Sequence, residues 1–255
     1  MELEQTKIFG VKINDLPVEA TINIIKNNIL TKEKTIISNA NIHALNLTFK
    51  IAWFRNFLNE SDLVFCDGFG VLIGAYLLNQ PIHYRYTPPD WINKLGIMCC
   101  ENHFTLGLIG SKTGVAEKTG SILKDKLPGL DIAFTYHGYF NKTPGNPENE
   151  AVIELINLAK PDILLVGFGM PMQEKWLLEN FDRLDVKVAL PVGAAFDYVS
   201  GNVRRAPKWM TDHGLEWLGR LIIEPRRLWK RYIIGNPLFF WRILKQKFGL
   251  LKYPE

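Results

Sequence analysis

The sequence is short of cysteine. Cys66, Cys99 and Cys100 are the only three in 255 residues, and they form no CxxC pair. A sparse, odd set speaks against a disulfide framework and fits a reducing compartment. Long hydrophobic runs are missing too: the longest, 69–78, is roughly half of the ~20 residues needed to span a bilayer. The opening MELEQTKIFG lacks the basic-then-apolar pattern of a secretory leader. The sequence therefore reads as neither exported nor transmembrane. It contains no HExxH, no DxD and no evident acidic cluster, and His43 has no second histidine at ligand spacing, so no metal site is expected. A GxGxxG turn is absent, and LGLIGSKTG (106–114) is not a P-loop, because Ser111 rather than glycine precedes Lys112.

What is present is enough apolar material for a core. Hydrophobic residues make up 47% and charged residues 22%, which argues against disorder. There is no internal repeat and no low-complexity stretch. Short apolar runs at 35–38, 62–65, 104–109, 131–136, 162–167 and 186–192 read as strands. Between them, helical periods cover 18–30, 42–58, 70–78, 89–100, 113–127, 148–159 and 171–181. Strands apolar throughout, alternating with helices, predict an α/β fold with a mostly parallel sheet covered on both faces. Ligands are then expected at the carboxyl ends of the strands.

The pattern changes near 200–208. Strand signals stop, and helices are expected over 208–223, 225–235 and 237–248, with Pro225 and Pro237 as openers. The expected division is a catalytic domain at 1–202 and a small helical appendage at 203–255. From Val203 onward there are 12 Lys and Arg against 4 Asp and Glu, whereas the preceding residues are net acidic; the whole chain is +4. Arg226, Arg227, Lys230 and Arg231 form one side of the middle helix, with Leu228, Trp229, Tyr232 and Ile233 opposite. Such a basic amphipathic segment suits an anionic membrane surface. Its interleaved tryptophans and arginines also leave nucleic-acid binding or a simple packed subdomain open.

Several motifs place chemistry at strand ends. CDGFG (66–70) follows an apolar strand, so Asp67 is either a base for a hydroxyl nucleophile or a turn and cap residue. The turn at Gly110 leads into a helix whose free N–H groups suit a diphosphate. In VGFGMPMQEKW (166–176), Gly169 ends a buried strand and Gln173 falls in the first helical turn, where it contacts a ligand or caps N–H groups. Asn39 and Asn41 follow another strand, as sugar-binding amides or turn formers. Arg85 offers a planar fork of donors for a diphosphate, or is solvated.

Together these segments resemble the WecG/TagA/CpsF glycosyltransferase family. The likeness runs from Asn41, His43 and Asn46 through DGFG, Arg85 followed by Asp90, HGYF (137–140), VGFGMPMQEKW, VGAAFDYVSG (192–201) with RRAPKW, to the GLEW…EPRR…RY tail. It implies a Rossmann-like bacterial enzyme at the cytoplasmic face of the membrane. Such an enzyme transfers a sugar, with inversion, from a UDP donor to an undecaprenyl-diphosphate-linked saccharide in cell-surface polysaccharide synthesis. The sugar would be of the N-acetylmannosamine type, its uronic acid, or a hexose. No cofactor or metal is implied, and the C-terminal segment would close over the active site at the membrane. By the same resemblance Asp67 is the base. Asn39, Asn41, Arg85, Asp90, Gly110, Gly169, Gln173 and Asp197 stand on the donor side, and Arg220, Arg227 and Arg231 reach the acceptor diphosphate. The chain departs from the family pattern at Asn39, where many members carry threonine, and at PPD (88–90), which leaves the sugar open.

Two other classes fit parts of the sequence. A dinucleotide-dependent oxidoreductase would fit the α/β pattern but lacks the GxGxxG turn. An RNA-binding protein would explain the basic aromatic tail but neither DGFG nor GMPMQEKW, so no nucleic-acid partner is expected. A homo-oligomer is left open.

Overall fold

A computed structural model describes residues 4–252. They divide into two compact units: one gathers residues up to Pro17, Ser38–Thr87 and the chain from Arg204 on, the other Val18–Ile37 and Pro88–Val203.

In the first unit, strands β1 (Gln5–Ile8) and β2 (Val11–Asn14) form an antiparallel hairpin. Its two-residue turn, Phe9–Gly10, has positive φ at both positions (53° and 76°), matching the twist of the strands it joins. The sequence reading assigned no strand here, although residues 5–14 alternate. Strand β4 (Leu63–Cys66) pairs parallel to β2 and is buried at every residue. The second half of β3 (Thr35–Ala40) lies beside β4, with Asp67 N donating to Ala40 O at 2.9 Å. Helices α2 (Ile42–Leu47), α3 (Ala52–Glu60) and α4 (Phe69–Leu77) belong to this unit, as do α10 (Lys208–Asp212), α11 (Glu216–Ile223), α12 (Pro225–Trp229) and α13 (Gly235–Lys247).

The single helix expected over 42–58 is broken. Thr48 turns its hydroxyl onto Leu45 O at 2.7 Å, and Ile51 is extended (φ −135°), so the backbone restarts as α3. The expected helix over 208–223 is also two, separated at Gly214, whose φ of 75° lies in the left-handed region. Expected helix 225–235 becomes α12 followed by a π-helical turn, Lys230–Ile234. Only half of the expected apolar side turns inward: Leu228 and Tyr232, four residues apart, are buried, but their neighbours Trp229 and Ile233 are exposed. Pro237 does not open α13, which begins at Gly235.

Helix α13 is part of the unit's core. Phe239 and Ile243 are fully buried, and Phe239 meets Phe9 edge-on at 5.3 Å. It packs so close to Gly74 of α4 that a Cβ there would lie 2.7 Å from the ring. Gln246 accepts from Phe9 N (2.8 Å) and donates to Lys7 O (2.9 Å), tying α13 to the hairpin.

The second unit is a parallel sheet in the order β3-β8-β7-β5-β6, where β5 is Thr105–Gly110, β6 Asp131–Tyr136, β7 Ile163–Gly167 and β8 Val188–Pro191. Residues 163–167 (ILLVG) are all buried, as a strand covered on both sides requires. Helices α1 (Val18–Thr31), α5 (Pro88–Asn102), α6 (Val115–Lys126), α7 (Pro147–Ala159), α8 (Met172–Asn180) and α9 (Ala195–Val199) pack around it. Helix α7 shows how locally the boundaries are set. Asn146 caps it by accepting from Glu148 N at 3.0 Å, Pro147 occupies the first turn, and Lys160 ends it in a left-handed conformation. The α/β class with mostly parallel strands, surrounding helices and a helical C-terminal segment is thus what the structure shows.

Candidate functional site

In the first unit, chemistry gathers around Asp67 at the carboxyl end of β4. Gly68 caps α4 with a φ of 124°, a conformation open to glycine, and so lets the chain turn directly after the carboxylate. Asn41, after β3, holds the carboxylate from the side: its Nδ2 donates to Asp67 Oδ2 at 3.1 Å. Its Oδ1 caps α2 by accepting from Ala44 N at 3.0 Å. Both ends of one amide are therefore spoken for, and Asp67 is oriented by a group that cannot rotate without uncapping a helix. Burial pushes the Asp67 carboxyl above its ordinary range and Glu216 adds to this; Asn41, Arg220 and Arg231 pull the other way. The same arginines act on His43 in the first turn of α2. Burial, then Arg231, Lys50 and Arg220, lower its pKa to about 3, so the imidazole is neutral at physiological pH.

Arg85 lies over the Phe69 ring, its guanidinium carbon 5.2 Å from the centroid. Its segment is held from both sides. Buried Asp15 accepts from His83 N (2.9 Å), Tyr84 N (3.0 Å) and His83 Nδ1 (2.6 Å), while Tyr86 N donates to Cys66 O and the Tyr86 ring stacks on Phe65 at 4.6 Å. Asn39 is buried at 3% exposure. Of the three tail arginines, Arg220 and Arg231 act electrostatically on Asp67, whereas Arg227 is exposed and paired with Glu224.

The second unit gathers glycine turns at the carboxyl ends of β5, β7 and β8. Gly110 has φ 152°, and a Cβ there would lie 2.5 Å from Gly167 O, so no side chain fits. Ser111 N donates to Gly167 O (3.0 Å) and Gly138 N to Ser111 O (2.9 Å), linking these turns to HGYF. Both carboxylate oxygens of half-buried Asp197 are held, one by Ser111 Oγ (2.9 Å), the other by Asn202 Nδ2 (2.7 Å). Gln173 is fully buried: its Oε1 accepts from Gly169 N (3.1 Å) and Gly193 N (3.0 Å), and its Nε2 donates to Glu174 Oε1 (2.8 Å). Its side chain therefore braces two turns. Asp90 is exposed in the first turn of α5.

Sequence reasoning gave no role to Asp15, Ser111, Glu174, Asn202 or Glu216, and set His43 aside only as a metal ligand. Ser111 could have been found, since a non-glycine residue at a strand-to-helix turn beside Gly110 must take an unusual conformation; its φ is 55°. Among the described residues no group of three or more His, Cys, Asp or Glu is gathered as a metal would require.

A parallel α/β sheet with polar and glycine turns at the carboxyl ends of its strands defines the broad class of Rossmann-like α/β proteins, which bind ligands at those ends. The model of the glycosyl transferase WecG/TagA/CpsF family matches residues 6–253, and the chain belongs to that family. It is similar to the N-acetylglucosaminyldiphosphoundecaprenol N-acetyl-beta-D-mannosaminyltransferases of Staphylococcus aureus. It is 27% identical to those of strains MRSA252 and NCTC 8325 over 243 residues, covering 94% of this chain and 92% of each relative. The protein of strain MW2 is 26% identical over the same length. The chain is a glycosyltransferase, and the oxidoreductase and RNA-binding readings fall away.

Proposed function

We propose that the chain transfers an N-acetylmannosamine-type sugar from a UDP donor to an undecaprenyl-diphosphate-linked N-acetylglucosamine, with inversion, in the synthesis of a cell-surface polymer. The observation that carries this reading is the Asp67 carboxyl: half-buried, oriented by Asn41, with Arg220 and Arg231 acting on it. Asp67 takes the proton of the acceptor hydroxyl as the new C–O bond forms at the anomeric carbon, on the face opposite the nucleotide. The bond from that carbon to the β-phosphate oxygen breaks, and UDP leaves with the electron pair. Base assistance of this kind contributes ~10²–10⁴ in rate. The raised pKa strengthens the base and restricts it to pH values where it is ionised.

Arg85 takes up charge on the leaving diphosphate through its fork of donors, without a metal ion. Asn39, Asn41, Asp90 and Asp197 serve the donor, and Gln173 serves it through the turns it braces. Arg220 and Arg231, with Arg227, serve the acceptor diphosphate. The segment 203–255 attaches to the inner face of the cytoplasmic membrane: Trp209, Trp229, Ile233, Trp241 and Phe248 are exposed among Lys208, Lys230, Lys245 and Lys247. Among the described residues no helix is long and apolar enough to cross a membrane.

The test is turnover of a panel of UDP-sugars with a lipid-linked N-acetylglucosamine diphosphate. UDP-N-acetylmannosamine should be the preferred donor. Preference for another UDP-sugar would correct the sugar, and no transfer from any of them would overturn the reading.

A further inference from the structure

The turns after β7 and β8 are joined by one oxygen. Gln173 Oε1 accepts both Gly169 N and Gly193 N, so its amide must point its carbonyl at them and its NH2 group away. The other side of that amide is met by Glu174, which is 1% exposed and accepts from Gln173 Nε2 at 2.8 Å. Among the described residues Glu174 Oε2 has no hydrogen-bond partner. Helix α8 cannot readily slide to relieve this. Trp176 Nε1 donates to Asn149 Oδ1 (2.8 Å), Asn149 Nδ2 to Asn180 Oδ1 (3.1 Å) and Asn180 Nδ2 to Trp176 O (2.8 Å), all buried.

We propose that Glu174 is a positioning residue: by accepting from Gln173 it fixes which way that amide points, and so holds the Gly169 and Gly193 turns together. Its role toward a donor rests on the reading of Gly169 as a donor-side residue. The brace itself stands on the hydrogen bonds.

Burial, and not the Gln173 bond, which itself favours ionisation, keeps the carboxyl neutral here. An ionised carboxylate seeks several donors, and here one amide and its own backbone N–H are at hand. Burial raises the Glu174 pKa from 4.5 to about 7, against those two hydrogen bonds. Around α8 the charged groups are Lys175, paired with Glu179 on the helix itself; Asp182, and Arg183, paired with Glu150; Lys187 ahead of β8; and Lys142 over the Phe140 and Phe168 rings. None of these charges contributes to the Glu174 shift. As pH rises through about 7 the carboxylate must draw in water or turn outward, and either opens the first turn of α8, where Gln173 sits.

The experiment follows the backbone amide resonances of Gly169 and Gly193 in the full-length protein from about pH 5.5 to about pH 8.5, a window chosen to bracket the carboxyl's titration. In the wild type both should move together with a common midpoint near 7, while the amide of Leu108 within β5 stays put. In Glu174→Gln, whose side-chain oxygen still accepts from Gln173 but cannot ionise, neither should titrate. In parallel, the wild-type KM for the UDP-sugar should rise at least about fivefold across the same window, and that of the variant should not. Glycine resonances that are still in the wild type, or that titrate equally in Glu174→Gln, overturn the proposal whatever the donor. The wild-type titration decides alone if the variant does not fold. Titrating glycines in a protein that turns over no UDP-sugar leave the brace standing and overturn the functional reading instead.

Discussion

Replacing Asn41 by aspartate separates its two tasks. Aspartate caps a helix about as well as asparagine, so the bond from Ala44 N to the side-chain oxygen survives and α2 keeps its start. The other half of the side chain changes sign: a donor 3.1 Å from Asp67 Oδ2 becomes a carboxylate oxygen. Two unit charges at that distance repel by about 5 kcal/mol at an effective dielectric constant of about 20. Arg220 and Arg231, both acting on Asp67, offset part of this. If as little as about 1.4 kcal/mol remains, Asp67 is harder to ionise by a factor of about ten. The rising limb of kcat/KM against pH should therefore move up by about one pH unit, with transfer depressed on that limb and recovering above it. Thermal unfolding should lose about the repulsion that remains, roughly 1–2 kcal/mol, and no more, because the cap is kept. The assay is transfer to the lipid-linked acceptor across pH, beside a melting curve for each protein. An unmoved limb with equal stability would show that Asn41 does not set the state of Asp67, and would remove the basis for treating that carboxylate as an oriented base.

Other outcomes follow from packing, charge and ligand chemistry. Phe239→Ala should cost about 3–5 kcal/mol in denaturant unfolding, because the ring is fully buried between Phe9 and Gly74; a loss under about 1 kcal/mol would contradict α13 as part of the core. Binding to anionic vesicles should weaken steeply with salt, each basic residue near the surface being worth ~1 kcal/mol. Replacing Trp229, Ile233 and Trp241 by alanine should weaken it further at fixed salt, since all three are exposed, and unchanged binding in a sedimentation assay would refute the attachment face. Chelation with EDTA should leave transfer within about twofold of the untreated rate, whereas loss restored by Mg²⁺ or Mn²⁺ would contradict the arginine account.

The six strands beyond the hairpin were legible because each is a short, largely apolar run between helical periods; the inner ones are buried on both faces, whereas the edge strand β6 buries only Phe134. The hairpin was not, since β1 and β2 alternate weakly and their turn hides in Phe9–Gly10. In the C-terminal segment the periodicity predicted helices correctly in kind but not in face. Leu228 and Tyr232 turn inward while Trp229 and Ile233 face outward, and a helical period alone does not say which of two neighbouring apolar rows is buried. For the site, motifs find groups at strand ends: Asp67 was visible that way, whereas Arg85, in the loop ahead of α5, stood out by its fork of donors. What a motif cannot show is how a side chain is used. Gln173 invited a ligand role, yet its amide is consumed by Gly169, Gly193 and Glu174, and Asp15 is invisible until the chain brings residue 83 beside it.

The central claim is that Asp67 takes the acceptor's proton, and the most direct measurement is transfer by Asp67→Asn alongside UDP binding by the same protein. The amide keeps the shape of the carboxylate but cannot act as a base. Turnover with saturating donor and lipid-linked acceptor should fall by ~10²–10⁴ while the UDP dissociation constant stays within about threefold. Turnover within about threefold of wild type would contradict the account, and Asp67 would then be a turn residue and nothing more.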